Sequence, residues 1–218
     1  LICDERLWRD VMGGLECRSM VADLTQDDSI AAMAARVLSM SPARFALAGL
    51  SMGGYVAFEI MRRAPERVTH LALLDTSARA DDAARRETRR KGIEMVREGK
   101  FSGVARGLLP NLLASRHLGT PLAREVLAMS ERVGEAAYIR QQEAIMNRVD
   151  SRPHLADIAV PTLVGVGEAD KLTPPDLAEE IAADIAGAEL VRFPESAHLP
   201  TMENPGAVVE AMRHWLER

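Results

Sequence analysis

The chain has 218 residues, 47% of them hydrophobic, which is enough for a single domain with a sizeable core. Its 27 basic and 32 acidic residues give a formal net charge of -5, which argues against a nucleic-acid-binding surface. Its two cysteines, Cys3 and Cys17, make neither a disulfide framework nor a zinc site, and no apolar run is long enough to span a membrane, so we expect a cytoplasmic protein.

Helical and strand-like segments alternate along most of the chain. The first elements that the periodicity predicts are a helix over residues 6–12, a short strand over residues 17–22 and an amphipathic helix over residues 28–40. Asp27 or Asp28 is the expected N-cap of the second helix.

Four further short runs, rich in apolar residues, predict strands over residues 44–50, 68–75, 161–167 and 189–193. Helices are predicted between or after them, over residues 55–63, 174–186 and 205–216. Strands that alternate with helices indicate βα units. The predicted fold class is therefore α/β, with a mainly parallel sheet flanked by helices.

Residues 78–152 break this alternation, because they have helical periodicity and contain no convincing strand. We expect three or four helices there, inserted between two strands of the sheet. The core domain is then built from residues 1–77 and 153–218.

The most informative motif is Gly49-Leu50-Ser51-Met52-Gly53, a G-x-S-x-G sequence between a predicted strand and a predicted helix. Such a turn holds its central serine in a strained backbone conformation with Oγ exposed. The residues two before and two after the serine approach each other closely, and Gly49 and Gly53 meet that need. The backbone N–H of Met52, at the helix N-terminus, is placed to donate to an oxyanion.

A serine hydroxyl is a weak nucleophile until a base takes its proton, and histidine is the usual base. His198 lies on the loop after the strand at 189–193, at the sheet edge from which Ser51 also emerges. The other four histidines are expected at the surface or in packing roles: His70, His117, His154 and His214.

The third member of such a site is a carboxylate. Asp170 follows the strand at 161–167 and precedes His198 by one helix and one strand, which gives the chain order serine, acid, histidine. Glu168, two residues earlier, and Asp75, at the end of the strand after the elbow helix, are the competing acids. A turn or helix-start carboxylate is the alternative interpretation of Asp170.

These motifs resemble the α/β-hydrolase superfamily. The matching segments are GLSMGG, LLDTSAR, VPTLVGVGEADKLTPP and FPESAHLPTMENP. They resemble the small carboxylesterases and lactonases with a helical lid, such as pimeloyl-carrier-protein methyl ester esterases and 3-oxoadipate enol-lactonases. The resemblance covers nearly the whole chain and implies an α/β-hydrolase fold in which residues 78–152 form a lid.

The sequence departs from the pattern of this family at the start of the chain. Relatives carry strands before this point, one of them ending in a His-Gly or Pro-Gly turn. The residue after that glycine supplies the second oxyanion N–H, and Leu1 takes its place here. We therefore expect a longer polypeptide with further strands upstream of Leu1.

The activity implied is hydrolysis of a small-to-medium carboxylic ester or lactone through an acyl-enzyme on Ser51, without a metal or organic cofactor. The expected partner is this small-molecule substrate, and the protein is expected to be a monomer or homodimer. A cofactor-free perhydrolase or haloperoxidase uses the same triad, although Ile2 stands where such proteins often have proline. A carbon–carbon bond hydrolase and, from a different class, a ligand receptor with a slow or dead triad also fit these motifs.

Overall fold

One parallel sheet organises the chain, and the computed structural model describes all of it, residues 1–218. The strands are β1 (Phe45–Leu50), β2 (Val68–Leu74), β3 (Thr162–Gly167) and β4 (Glu189–Phe193), in the spatial order β1-β2-β3-β4. All three neighbouring pairs are parallel. Because all four strands run in the same direction, their carboxyl ends lie at one edge of the sheet, and each connection has to cross over to return to the other edge.

Nine α-helices accompany the sheet. They are α1 (Arg6–Gly14), α2 (Ile30–Met40), α3 (Met52–Arg63), α4 (Ala83–Arg97), α5 (Phe101–Leu112), α6 (Pro121–Met146), α7 (Pro175–Asp184), α8 (Pro200–Glu203) and α9 (Pro205–Leu216). The α/β class with a parallel sheet flanked by helices is confirmed.

The helices cover both faces of the sheet. Along β2, Leu71 and Leu73 belong to an apolar cluster that takes in side chains of α2, α3 and α7. The intervening Ala72 and Leu74 belong to a second cluster that takes in α1 and α9. Successive side chains of a strand point to opposite faces, so this alternation gives a three-layer structure with a core on each side of the sheet.

The structure corrects the sequence-based prediction in one strand, one helix cap, one helix start and one additional helix. Residues 17–22 form no strand: residues 17–20 are exposed and no neighbouring strand pairs with the segment, so its backbone has no ladder to join. Helix α2 is capped by Ser29, whose side chain accepts the Ala32 N–H, and not by Asp27 or Asp28. Asp27 instead pairs with Arg36. Helix α3 begins at Met52, three residues earlier than predicted, and the short helix α8 was not predicted.

Helices α4, α5 and α6 all lie between β2 and β3 in the chain. Helix α6 is interrupted at Gly134, where φ is 78°, so the segment has either three helices or four, depending on how α6 is divided. The two ends of the inserted segment 78–152 meet, because the Ser151 N–H donates to the Ala78 carbonyl at 2.7 Å. None of the helices of this fold combines the length and apolarity that a bilayer span needs.

Candidate active site

Ser51 occupies the sharp turn between β1 and α3. Its φ of 53° and ψ of -114° lie outside the usual regions for a residue with a side chain, so the backbone is strained. Three hydrogen bonds hold it: Ser51 N–H to the Leu74 carbonyl, Gly54 N–H to the Ser51 carbonyl, and the Thr76 hydroxyl to the same carbonyl, at 2.8–2.9 Å. The neighbouring strand therefore fixes the turn from outside.

The glycines of this turn have different roles. A Cβ added at Gly49 would overlap the backbone of Gly53, and one at Gly54 would overlap the side chain of Thr76. A Cβ at Gly53 would meet nothing within 4 Å. The turn therefore leaves room for a Cβ at Gly53, and the prediction that this position excludes a bulky side chain stays a prediction. It is the backbone of Gly53 that comes close to Gly49, and the steric demand falls on Gly49 and Gly54.

Three of the predicted site residues form one hydrogen-bonded chain. His198 Nε2 lies 2.8 Å from Ser51 Oγ, and His198 Nδ1 lies 2.8 Å from Asp170 Oδ2. Asp170 and His198 are each 3% exposed. With the proton on Nδ1 donated to the carboxylate, Nε2 is free to accept the serine proton. The geometry is that of an activated serine nucleophile.

The surroundings of Asp170 keep it ionised. Burial acts to raise the pKa of Asp170, but the hydrogen bond and charge of His198, together with the Thr173 hydroxyl and N–H, lower it below its ordinary value. Asp170 Oδ1 also accepts the N–H of Leu172 at 2.8 Å. The turn interpretation of Asp170 is thus correct as well, because the carboxylate orders its own loop while facing His198.

Neither competing acid makes a hydrogen bond with His198. Asp75 accepts the Gly167 N–H at 2.8 Å and makes no hydrogen bond with His198. Burial, and next the charge of Asp170, raise the pKa of Asp75 well above its ordinary value. Glu168 is exposed. None of the other four histidines makes a hydrogen bond with Ser51; His70, for example, packs edge-on against Trp215 with the ring centroids 5.8 Å apart.

Asp75, Asp170 and His198 also have ligand atoms within 4.8 Å of one another, the spacing that a metal ion would need. Both ring nitrogens of His198 are already engaged, one by Asp170 and one by Ser51. A metal would have to displace one of these partners, so the cluster fits proton transfer better than metal binding.

The first residues of the chain lie close to α6. The N–H of Ile2 donates to Gln141 Oε1 at 3.0 Å, so it is not available to a substrate oxyanion. Ile2 has a φ of 51°, an unusual value for a β-branched residue, and Gln141 helps to hold it there. Leu1 is half-buried and packs against both apolar clusters. Met52 is 3% exposed at the first position of α3.

Glu203, at the end of α8, holds the loop that carries His198. Its Oε1 accepts the N–H of Ala197 at 2.9 Å and of Leu199 at 3.2 Å, the two residues on either side of His198. Its Oε2 accepts the N–H of Ala114, after α5, at 2.7 Å. One buried carboxylate thus ties the histidine loop to the inserted helices.

Glu203→Gln is expected to lower the free energy of unfolding by about 1–3 kcal/mol, because its amide nitrogen cannot accept the third backbone N–H. It should also lower kcat more than it changes KM, since the histidine loop loosens. Urea unfolding and steady-state kinetics measure both effects. Glu195→Gln is the matched control: Glu195 is exposed on the same loop and pairs only with Arg116. Equal effects of the two substitutions would contradict this role for Glu203.

Sequence reasoning missed Glu203 and Thr173. Thr173 donates its hydroxyl to Asp170 at 2.7 Å and lies three residues after it, in the loop that Asp170 orders through an Asx-turn to the N–H of Leu172. This local pattern could have been recognised. Glu203 carried only a weak signal. An acid just before the predicted helix at 205–216 resembles an ordinary helix-start carboxylate.

Comparisons with known proteins show which family the chain belongs to. The sequence model described as "Alpha/beta hydrolase family" matches residues 10–211. A pimeloyl-[acyl-carrier protein] methyl ester esterase of Neisseria meningitidis is 28% identical over 177 residues, covering 78% of this chain and 68% of that protein. A Mycobacterium tuberculosis protein named "Putative non-heme bromoperoxidase BpoC" is 31% identical over 212 residues, covering 91% of this chain and 74% of its own.

Two solved structures are also similar. A thermophilic esterase from Thermogutta terrifontis superposes with a TM-score of 0.87 at 28% identity, over 99% of this chain and 86% of that one. The enol-lactonase from Burkholderia xenovorans LB400 superposes with a TM-score of 0.83 at 25% identity, over 100% of this chain and 88% of that one.

Proposed function

Because this chain belongs to the alpha/beta hydrolase family and its relatives act on ester bonds, we propose that it is a serine hydrolase that cleaves a small-to-medium carboxylic ester or lactone through an acyl-enzyme on Ser51. The observation that carries the proposal is the chain of two 2.8 Å hydrogen bonds from Ser51 through His198 to Asp170. We further propose a cytoplasmic monomer or homodimer that needs no cofactor.

In the first half of the reaction, Ser51 Oγ attacks the ester carbonyl carbon while His198 Nε2 takes its proton. The tetrahedral intermediate collapses, and His198 returns the proton to the leaving oxygen, which departs as an alcohol. For a lactone, that alcohol stays attached to the acyl group. Asp170 holds the imidazole in the required tautomer and stabilises the imidazolium between the two transfers.

In the second half, water replaces the alcohol. His198 takes a proton from the water as its oxygen attacks the acyl carbon, and the proton then returns to Ser51 Oγ. The products are the carboxylic acid and the free enzyme. The burial of His198 and Asp170 strengthens each electrostatic contact in this cycle, because little solvent is present to screen it.

Backbone N–H groups are proposed to stabilise the oxyanion. Met52 offers one at the N-terminus of α3, where the helix leaves its first N–H groups unpaired. Leu1 is proposed for the second. The neighbouring Ile2 N–H is already bonded to Gln141, which leaves the N–H of Leu1 as the candidate in this segment.

We propose that residues 78–152 are the lid of this site. The Leu112 carbonyl accepts the N–H of His198 at 3.2 Å. Leu113 and Phe101 share an apolar cluster with Leu50, the residue before the nucleophile. The inserted segment thus contacts the loop that carries His198 and shares an apolar cluster with the strand end before Ser51, which supports a substrate-covering position.

A perhydrolase or haloperoxidase is the second candidate, on the strength of the 31% identity to the bromoperoxidase-named protein. The same acyl-enzyme would be attacked by hydrogen peroxide and would release a peracid. The two activities share Ser51, so only the acceptor molecule distinguishes them.

Reaction with a fluorophosphonate probe, followed by turnover of p-nitrophenyl esters, lactones and thioesters, tests the proposal. We expect labelling of Ser51 and fastest turnover on an oxygen ester or lactone. Parallel assays with hydrogen peroxide and a carboxylic acid measure peracid formation. Faster peracid formation than hydrolysis would favour the second candidate, and labelling without any turnover would favour a ligand receptor.

A further inference from the structure

A second carboxyl group lies beside the proposed triad. Asp75 follows β2, is 1% exposed and has a φ of 43°, a conformation that aspartate tolerates better than most residues. A carboxylate oxygen of Asp75, one of Asp170 and a ring nitrogen of His198 all lie within 4.8 Å of one another. The proposed catalytic cycle does not use Asp75.

The two carboxyl groups differ in the hydrogen bonds they receive. Asp170 accepts the N–H of Leu172 and of Thr173, the Thr173 hydroxyl and His198 Nδ1–H. Asp75 accepts one bond, from Gly167 N–H to Oδ1, and its buried Oδ2 receives none. Two carboxylates this close cannot both be ionised without a large cost in free energy, so one of the two groups stays protonated. The group with four donors keeps the charge and the group with one keeps the proton.

The electrostatics agree with this assignment. Burial first, then the charge of Asp170, raise the pKa of Asp75, and the charge of Glu203 adds to the rise. Only the Gly167 N–H acts to lower it. The titratable groups facing Asp75 are thus Asp170, His198 and Glu203, and the neighbouring acids oppose its ionisation.

We propose that Asp75 is a positioning residue: its neutral carboxylic acid accepts the Gly167 N–H through Oδ1 and donates the Oδ2 proton to Asp170, which fixes the Asp170 carboxylate against His198. The expected effect of Asp75 on catalysis rests on the proposed function. The protonation itself is a property of the fold.

The test compares Asp75→Asn with Asp75→Gly. Asparagine reproduces the neutral acid, since its oxygen accepts the Gly167 N–H and its amide donates to Asp170. Glycine removes both bonds and tolerates the positive φ, so it adds no backbone strain. We expect Asp75→Asn to keep kcat/KM within about threefold of wild type and Asp75→Gly to lower kcat on the order of 10- to 100-fold with little change in KM.

The pH profile of kcat/KM separates this role from an electrostatic one. For Asp75→Asn we expect the acid limb to stay where it is in wild type, because no charge has been removed. An ionised Asp75 beside His198 would stabilise the imidazolium, and its neutralisation would move the acid limb to lower pH. A shift of about one pH unit would therefore overturn the proposal. Wild-type activity of Asp75→Gly would overturn it too.

Thermal unfolding gives a readout independent of activity. Because the folded pKa of Asp75 lies above its ordinary value of 3.8, its contribution to stability is present below that value and is lost as the pH rises through the folded pKa. The Asp75→Asn variant does not lose stability in this way, because asparagine does not ionise. The Tm of Asp75→Asn relative to wild type should therefore increase as the pH is raised from about 4 to about 8. A difference that is constant with pH would show that Asp75 is ionised, even in a protein that hydrolyses no ester.

Discussion

Ser51→Ala is expected to lower kcat/KM on esters by roughly 10⁴- to 10⁶-fold, because the covalent step is lost and only binding and the oxyanion donors remain. The fold should persist. The turn is held by backbone bonds and by the Thr76 hydroxyl, and none of these uses the serine side chain. Loss of fluorophosphonate labelling, with an unchanged circular dichroism spectrum, would accompany the loss of turnover.

Ser102→Ala is the control for this substitution, since Ser102 is an exposed serine on α5 with no hydrogen bond to the triad. It should label and turn over as wild type does. Near-wild-type turnover by Ser51→Ala would contradict the serine-hydrolase proposal. Labelling at another serine would show that the other serine is the nucleophile.

Ser51, His198 and Asp170 could be selected from sequence because each stands at the carboxyl end of a predicted strand. Parallel strands bring those ends to one edge, so a pattern of apolar runs was enough to collect three distant residues. The register bears this out: Leu50 is opposite Leu74, and Leu74 is opposite Gly165. The strand boundaries matched within one residue. For β2 and β3 the reason is that these buried strands are nearly continuous apolar runs.

The elements that sequence reasoning missed depend on tertiary contacts. Residues 17–22 pair with none of the four strands, and no local pattern in the sequence reveals whether a partner strand exists. Glu203 holds backbone N–H groups from the segment after α5 and from the His198 loop, which are 89 and 4–6 residues away in sequence. Such a contact has no periodic signature, because it joins the end of the four-residue helix α8 to backbone N–H groups outside helices and strands.

The protonation of Asp75 is a third kind of property that sequence does not contain. Asp75 and Asp170 are both acids after buried strands, and by sequence they compete for one role. Only the number of hydrogen-bond donors around each of them distinguishes the ionised acid from the neutral one. The structure thus turns a choice between two acids into a pair with different roles.

The second large effect is expected for Asp170→Asn, which should lower kcat on the order of 10³- to 10⁴-fold. An amide cannot hold the imidazole as a carboxylate does. It either presents its NH₂ group to His198 Nδ1, which forces the proton onto Nε2 and blocks the base, or leaves the imidazolium without a counter-charge. The asparagine oxygen can still accept the Leu172 N–H, so the loop should keep its shape.

Glu168→Gln is the matched control, because Glu168 is two residues away and exposed. It should change kcat by less than about twofold. A large loss in Glu168→Gln together with a small one in Asp170→Asn would reassign the acid. If Asp75→Asn instead caused the larger loss, the triad acid would be the one after β2, and the proposed neutral state of Asp75 would be wrong as well.

The stability of Asp170→Asn should depend on pH in the opposite sense to that of Asp75→Asn. The hydrogen bonds and charge of His198 and the Thr173 donors hold the folded pKa of Asp170 below its ordinary value despite burial. Its contribution to stability is therefore present above that ordinary value and is lost as the pH falls through the folded pKa. Wild type should unfold at a higher temperature than Asp170→Asn at neutral pH, and the gap should close below about pH 4. Two adjacent aspartates with opposite slopes would identify one as the ionised member of the pair and the other as the neutral member. Parallel slopes would show that the two carboxyl groups titrate alike and would remove the basis for their separate roles.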